Sequence, residues 1–335
     1  MLLTKALKDF LEMHQIDNQS HYTIRNYRDH LTAFIEWLEI EHHVIDAGEL
    51  TVSHMRSWIA HLQQTPSKRG MPLADSTIHL YGVSMVSFCH WLEEEGYIEN
   101  RVTSRFKLPR MEKKFIPTYT TDDVKKLFEA CEETRGFTPL IRKALTSRNR
   151  AILAVLLDAG IRLAELVNLR LRDIDRDLRL LVVHRKGNKW QQVPISREAF
   201  KYLHEYLSKY RKHLAAIDGI STSHKDDQVF LSHLGTPMTR SGVQMFFRKL
   251  RHKTGIQDKR VSPHNCRRYM ATTQLAMGRS PFDVQRQMGH TTLIMTNHYA
   301  SLTVEQIQRS HEQFSPLRAK NQEQNESSGS GYWDE

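Results

Sequence analysis

Four separated fragments of this chain carry side chains able to hold an anion, exchange a proton or attack an electrophile. In AGIRLAEL, Arg162 and Glu165 stand three residues apart, the spacing that puts two side chains on one helical face. In HRKGNKWQQVP, Lys186 falls at the tip of a β-hairpin, and in SPHNCRRYMATTQLAMG, His264 and Arg267 share a helix face. In MGHTTLIMTNHY, His290 is followed nine residues later by Tyr299. Each fragment alone has a plainer reading. Arg-x-x-Glu is commonly a surface ion pair, Lys-Gly-x-Lys a solvated turn, His-x-x-Arg a coincidence of helix spacing, and a late tyrosine half-buried packing. Whether Tyr299 packs or reacts depends on what the rest of the chain can assemble around it.

The elements that must do the positioning are mostly helical. In SHYTIRNYRDHLTAFIEWLEIE, residues Ile24, Tyr27, Leu31, Phe34, Ile35 and Leu38 recur at helical spacing, with Ser20 placed to cap them. LTVSHMRSWIAHLQQ puts Met55, Ile59 and Leu62 in step and ends in the basic, proline- and glycine-punctuated loop TPSKRGMPL. DSTIHLYGVSMVSFCHWLEEEGYI aligns Ile78, Tyr81, Met85, Phe88 and Leu92 and stops at Gly96. Four helices of this kind form a compact all-α unit over residues 1–106. RVTSRFKLPRMEKKFIPTYT has two prolines, several cations and no periodicity, and residues 107–117 read as a linker. Helices resume at TTDDVKKLFEACEE, whose capping residue is followed by acids, and continue through SRNRAILAVLLDAG and IRLAELVNLRLRDI. The one clear β signal is LRLLVVHRKGNKWQQVPI, where Leu180 to Val183 and Trp190 to Ile195 flank KGNK. A long helix at SREAFKYLHEYLSKYRKHL, a polar loop at AAIDGISTSHKDDQ and three further helical segments carry a second unit, 118–318, to its end. Residues 319–335, AKNQEQNESSGSGYWDE, have the composition of a disordered tail. The expected fold is thus mainly α, an all-α domain followed by an α+β domain with a small sheet.

Composition narrows the partner. The chain has a net charge of +10, and the four acids and one lysine of residues 319–335 leave +13 on the rest. A basic body with interleaved Tyr and Trp suits a polyanion, nucleic acid before a membrane surface. No stretch approaches the roughly 20 apolar residues that span a bilayer. The N-terminus MLLTKALKDFLEMHQ lacks the apolar core and cleavage site of a signal peptide, so a cytoplasmic protein is expected. Cys89, Cys131 and Cys266 lack ligand spacing and read as buried thiols rather than as disulfides or a metal site.

Taken together and in order, the four fragments resemble the tyrosine recombinase/integrase family, with its phage integrase, Cre-like and Xer-like members. The family signature is Arg…Lys…His-x-x-Arg…His/Trp…Tyr, and every position is filled here; only Cys266, where leucine is common, departs inside a motif. The resemblance spans nearly the whole chain and makes 1–106 a SAM-like core-binding domain and 118–318 the catalytic domain. It implies that Tyr299 attacks a DNA phosphodiester to give a 3′-phosphotyrosyl link. Arg162 and Arg267, with their planar two-pronged donors, and His290 would stabilise the charge of the pentacoordinate phosphorus. Lys186, the lysine before the glycine, would protonate the leaving 5′-oxygen, and His264 would accept the phenol proton or orient Tyr299. Glu165 would position Arg162 or a histidine, and His298 would stand by. Lys68, Arg69, Lys107, Arg110, Lys113, Lys114 and Lys189 are candidate DNA-phosphate contacts. No metal or nucleotide is called for, in keeping with the lack of a carboxylate cluster or P-loop motif. The expected partners are a double-stranded recombination site on the nucleoid, a synaptic homotetramer and accessory proteins, with TVEQIQRSHEQFSPL docking on a neighbouring protomer. Two other readings compete: a sequence-specific DNA-binding protein without catalysis, and a type IB topoisomerase.

Overall fold

The computed structural model describes residues 1–67, 70–99, 101–109, 117–134, 138–185, 189–218 and 227–289. The chain divides into two compact units, Met1–Phe115 and Ile116–Glu335.

The first unit is built from α1 (Leu3–Ile16), α2 (His21–His42), α3 (Val52–Gln64) and α4 (Asp75–Glu94). Each turns its apolar stripe inward. Phe10, Leu31, Phe34, Leu38, Met55, Met85, Phe88 and Leu92 are all buried in one core. Helix α2 starts where expected, with the Ser20 hydroxyl accepting from the Thr23 N–H at 3.1 Å. Helix α3 opens on Thr51, whose hydroxyl accepts from the His54 N–H while the His54 ring accepts from the Thr51 N–H. The TPSKRGMPL loop is closed by a bridge between Pro66 and Pro72. Lys68 and Arg69 lie outside the described residues.

In the second unit, α5 (Thr121–Ala130) leads to α6 (Pro139–Asp158), which is buried all round over Ala151–Leu157. A helix apolar on every side must be covered on every side. Later helices supply that cover. The expected helix IRLAELVNLRLRDI is much shorter than its pattern: α7 spans only Leu163–Asn168, because Arg162 has extended backbone and caps its start while Leu169 and Arg170 are extended at its end, and Leu171–Asp173 makes a separate 3-10 turn. A small antiparallel sheet follows, β1 (Ile174–Asp175), β2 (Leu180–Arg185) and β3 (Lys189–Pro194), in the order β1-β2-β3. The strand β1 has two residues and leaves no period-2 pattern to read in the sequence. The hairpin register sets Leu181 against Val193 and Arg185 against Lys189.

The long helix predicted after the sheet is α8 (Arg197–Glu205), a wide π-turn at Tyr206–Tyr210, and α9 (Arg211–Ala215). That turn delivers the buried Tyr206 hydroxyl to the Leu231 N–H at 3.3 Å and Arg211 to the carbonyls of Gln228 and Val229. Helices α10 (Arg240–Thr254), α11 (Pro263–Ala276) and α12 (Pro281–Met288) are the last elements among the described residues. Both α8 and α11 pack on α6. The start of α11 is pinned by Tyr119, whose buried hydroxyl donates to the Arg260 carbonyl and accepts from the Ser262 N–H, both at 3.1 Å. Burial pushes the Tyr119 phenol well above its ordinary pKa, so it stays a donor. Among the described residues no helix is long and apolar enough to cross a membrane.

Candidate active site

Helix α6 ends in a left-handed turn at Gly160, φ +62°, which points its carbonyl and the following Arg162 toward one corner of the unit. Arg162 is the cap of α7 rather than a member of it. Its N–H donates to Glu165 Oε2 at 2.8 Å and its guanidinium donates to Glu165 Oε1 at 3.0 Å. The spacing expected to pair the two across a helix face therefore works as a capping box. The other end of the same guanidinium donates to the Gly289 carbonyl at 3.1 Å.

The Glu165 carboxylate is buried and shared with Arg185, whose Nη1 reaches Oε1 at 3.0 Å and Oε2 at 2.9 Å. Arg185 also donates to the carbonyls of Met288 at 3.0 Å and Gln287 at 2.7 Å, and its Nε to Gln191 Oε1 at 3.0 Å. Gln191 in turn donates to the Arg286 carbonyl at 2.5 Å. Burial pulls the Arg185 guanidinium below its ordinary pKa and the Glu165 charge pulls it back up; the arginine remains a cation.

Arg267 is buried on α11 and donates to the Gly160 carbonyl at 2.6 Å and to Met288 at 2.5 Å. Three guanidiniums, from the cap of α7, from β2 and from α11, thus converge on the last carbonyls of α12. A helix C-terminus carries partial negative charge and unsatisfied carbonyls, which is what draws them there. With one carboxylate among them, the cluster keeps two positive charges in excess. Gly289 ends α12 at φ +61°, and a β-carbon there would lie 2.9 Å from Arg185 Nε. Only a residue without one fits under that guanidinium.

His264 sits in the first turn of α11, exposed over much of its surface. The side chains packed against it still cost its charged form hydration. That, with the cations Arg267, Arg268 and Arg260, holds its imidazole below the ordinary value. At neutral pH it is therefore a neutral base able to accept a proton. Lys107, in the first unit, and Lys189, at the start of β3, are exposed. Lys186, His290, Tyr299, Arg110, Lys113, Lys114 and His298 lie outside the described residues, as does the 303–317 segment.

The structure brings Arg162, Glu165 and Arg267 together. It adds Arg185, which the sequence reading passed over. A signal for it existed: Leu181, Val183 and Arg185 alternate on the buried face of β2, so the arginine stands where a core residue belongs. Among the described residues, no group of three or more His, Cys, Asp or Glu side chains is placed to hold a metal ion.

Residues 117–306 match the model of the phage integrase family, and residues 7–103 match the phage integrase N-terminal SAM-like domain. The chain is 30% identical over 305 residues to a tyrosine recombinase XerC of Oceanobacillus iheyensis, covering 90% of this chain and 93% of that one. It is 25% identical over 315 residues to a tyrosine recombinase XerD of Listeria monocytogenes, covering 94% and 99%. The fold is also that of a Tn1549 transposon integrase solved with a circular intermediate DNA, with a TM-score of 0.69 at 18% identity over 94% of this chain and 100% of that one.

Proposed function

The chain belongs to the phage integrase family and is a tyrosine site-specific recombinase, and from that premise we propose that it exchanges DNA strands with Tyr299 as nucleophile. The phenol oxygen attacks the scissile phosphorus, the bond from phosphorus to the 5′-oxygen breaks, and a 3′-phosphotyrosyl link conserves its energy. Lys186 gives the leaving 5′-oxygen its proton and His264 takes the proton of the phenol. A 5′-hydroxyl from another strand then reverses the step. Arg162, Arg267 and His290 hold the extra negative charge on the non-bridging oxygens.

The observation that carries this reading is the convergence of Arg162, Arg185 and Arg267 on Gln287, Met288 and Gly289. The next residue in sequence is His290, and Tyr299 follows nine later. The carbonyl of Gly289 occupies one Arg162 donor as a phosphate oxygen would. The neutral imidazole of His264 supports its part as proton acceptor.

The substrate in this proposal is a short double-stranded site held by four protomers, with the segment 303–317 docking between neighbours and the protein acting on the nucleoid. Lys68, Arg69, Lys107, Arg110, Lys113, Lys114 and Lys189 contact phosphates, so neutralising them weakens binding to all sequences and flattens its salt dependence. Two purposes suit the chemistry: resolving DNA dimers, or integrating and excising a mobile element.

The test begins by selecting a bound site from a random duplex library, then building it into a nicked suicide substrate. A covalent adduct should appear on a denaturing gel and vanish in Tyr299→Phe. An adduct that Tyr299→Phe forms equally well refutes the assignment. Plasmid relaxation without recombinant product would instead favour the topoisomerase reading.

A further inference from the structure

Arg185 makes more contacts in the cluster than any role assigned so far requires. It also stands apart from Arg162 in its exposure. The Arg162 side chain is 41% exposed, whereas Arg185 is 6% and Glu165 4%. Arg162 can therefore reach a ligand. Arg185 can act only through its neighbours.

Those neighbours are specific. A carboxylate offers about four lone-pair positions. Glu165 fills them with the Arg162 N–H, the Arg162 guanidinium and two contacts from Arg185 Nη1. With Arg185 gone, two of those positions fall vacant on a buried carboxylate. The Arg162 guanidinium, already on Glu165 by Nη1, can bring over the Nη2 it now gives to Gly289, and a two-pronged arginine–carboxylate pair is the preferred geometry when both partners are available. Arg162 would then face Glu165 squarely, its charge cancelled and its Gly289 contact surrendered.

We infer that Arg185 is a positioning residue for Arg162: by occupying half of the Glu165 carboxylate and fastening the α12 end, it keeps the Arg162 guanidinium from pairing fully with Glu165 and leaves it turned toward bound phosphate. This rests on Arg162 being a phosphate ligand, as proposed above. A lysine at 185 could not substitute, because an ammonium is a single point of charge and cannot reach Glu165, Gln287, Met288 and Gln191 together.

The experiment compares adduct formation on the selected site carrying either the natural scissile phosphate or a methylphosphonate, which lacks the non-bridging negative charge. Four variants of the full chain are used: Arg162→Ala, Arg185→Gln, Arg185→Lys and the double variant Arg185→Gln with Glu165→Gln. On phosphate, Arg185→Gln and Arg185→Lys should both slow the reaction ~10–100-fold, the value of about one charge-assisted hydrogen bond. On methylphosphonate both should come within about threefold of the unsubstituted chain, as Arg162→Ala should, because the transition state there carries one negative charge fewer for Arg162 to hold.

The double variant removes the carboxylate that would capture Arg162, and it buries no unpaired charge. It should recover most of the phosphate reaction even if Arg185→Gln alone folds poorly. Equal slowing of Arg185→Gln on the two substrates, or a double variant as slow on phosphate as Arg162→Ala, overturns the inference. An Arg162→Ala variant indifferent to the substrate would bring down the phosphate-binding reading and this inference with it. A sensitive Arg162→Ala beside an insensitive Arg185→Gln brings down this inference alone.

Discussion

Replacing Gly289 by alanine perturbs the site at the point where the backbone of α12 passes beneath Arg185. Two costs add. A β-carbon at φ +61° is in the left-handed region, at ~1–2 kcal/mol for an L-residue. The same atom would stand 2.9 Å from Arg185 Nε, 3.0 Å from Cζ and 3.1 Å from Gln191 Oε1. Arg185 is buried and held at both ends, so it cannot swing into solvent; it must give up at least one charge-assisted hydrogen bond, at ~1.5–3 kcal/mol. The expected loss is about 2.5–5 kcal/mol from the second unit. The control is Gly255→Ala in the same unit. Gly255 has φ +66° at the end of α10 and nothing within 4 Å of where its β-carbon would be, so it should lose only the conformational ~1–2 kcal/mol. Urea unfolding read by hydrogen exchange of the α6 amides isolates this unit from the first. Equal losses in the two variants would refute the reasoning, because the guanidinium would then be shown to move aside without cost.

Three further outcomes follow from the same structure. The His264 ring resonances should titrate with a midpoint below 6.5, and His264→Gln should remove that titration; since the unfolded imidazole then binds protons more readily, this group leaves stability untouched above pH 6.5 and erodes it as pH falls from there toward the lowered folded value. Burial pushes the thiols of Cys89 and Cys131 up to about 12 and Cys266 higher still, so a thiol reagent at pH 8 should label none of the three until denaturant is added. Ser20→Ala should cost the first unit ~1 kcal/mol in urea unfolding and leave the second unit's transition in place, because the Ser20 hydroxyl is the side chain that caps α2.

Much of the fold can be read in the sequence because it rests on periodicity. The stripes of α2, α3 and α4, the all-apolar run of α6 and the Leu180 and Trp190 hairpin each announce their element within about twenty residues. What periodicity cannot show is where a polar residue overrides it. Arg162 sits inside a good helical pattern, but its extended backbone and its N–H bond to Glu165 make it the cap that starts α7 at Leu163, and the extended Leu169 ends the helix six residues later. The π-turn at Tyr206 inserts a wide turn into an otherwise regular helix, for the sake of a hydrogen bond to Leu231. The order of Arg162, His264, Arg267, His290 and Tyr299 was legible as a motif. Arg185 shows in the sequence only as a cation at a core position of β2, and its partners do not, because Glu165 and Met288 lie 20 and 103 residues away.

The arginine contacts also bear on how the enzyme comes into being. Arg162 meets Gly289 across 127 residues of chain, Arg185 meets Met288 across 103, and Arg267 meets Gly160 across 107. Contacts of that separation close late in folding, since the long loops between them must first be ordered. During synthesis the early half of the site, Arg162 and Glu165, leaves the ribosome more than a hundred residues before the carbonyls that complete it. A nascent or truncated chain therefore lacks the carbonyls on which the three guanidiniums converge, and on the proposed assignment strand cleavage waits until the second unit is whole.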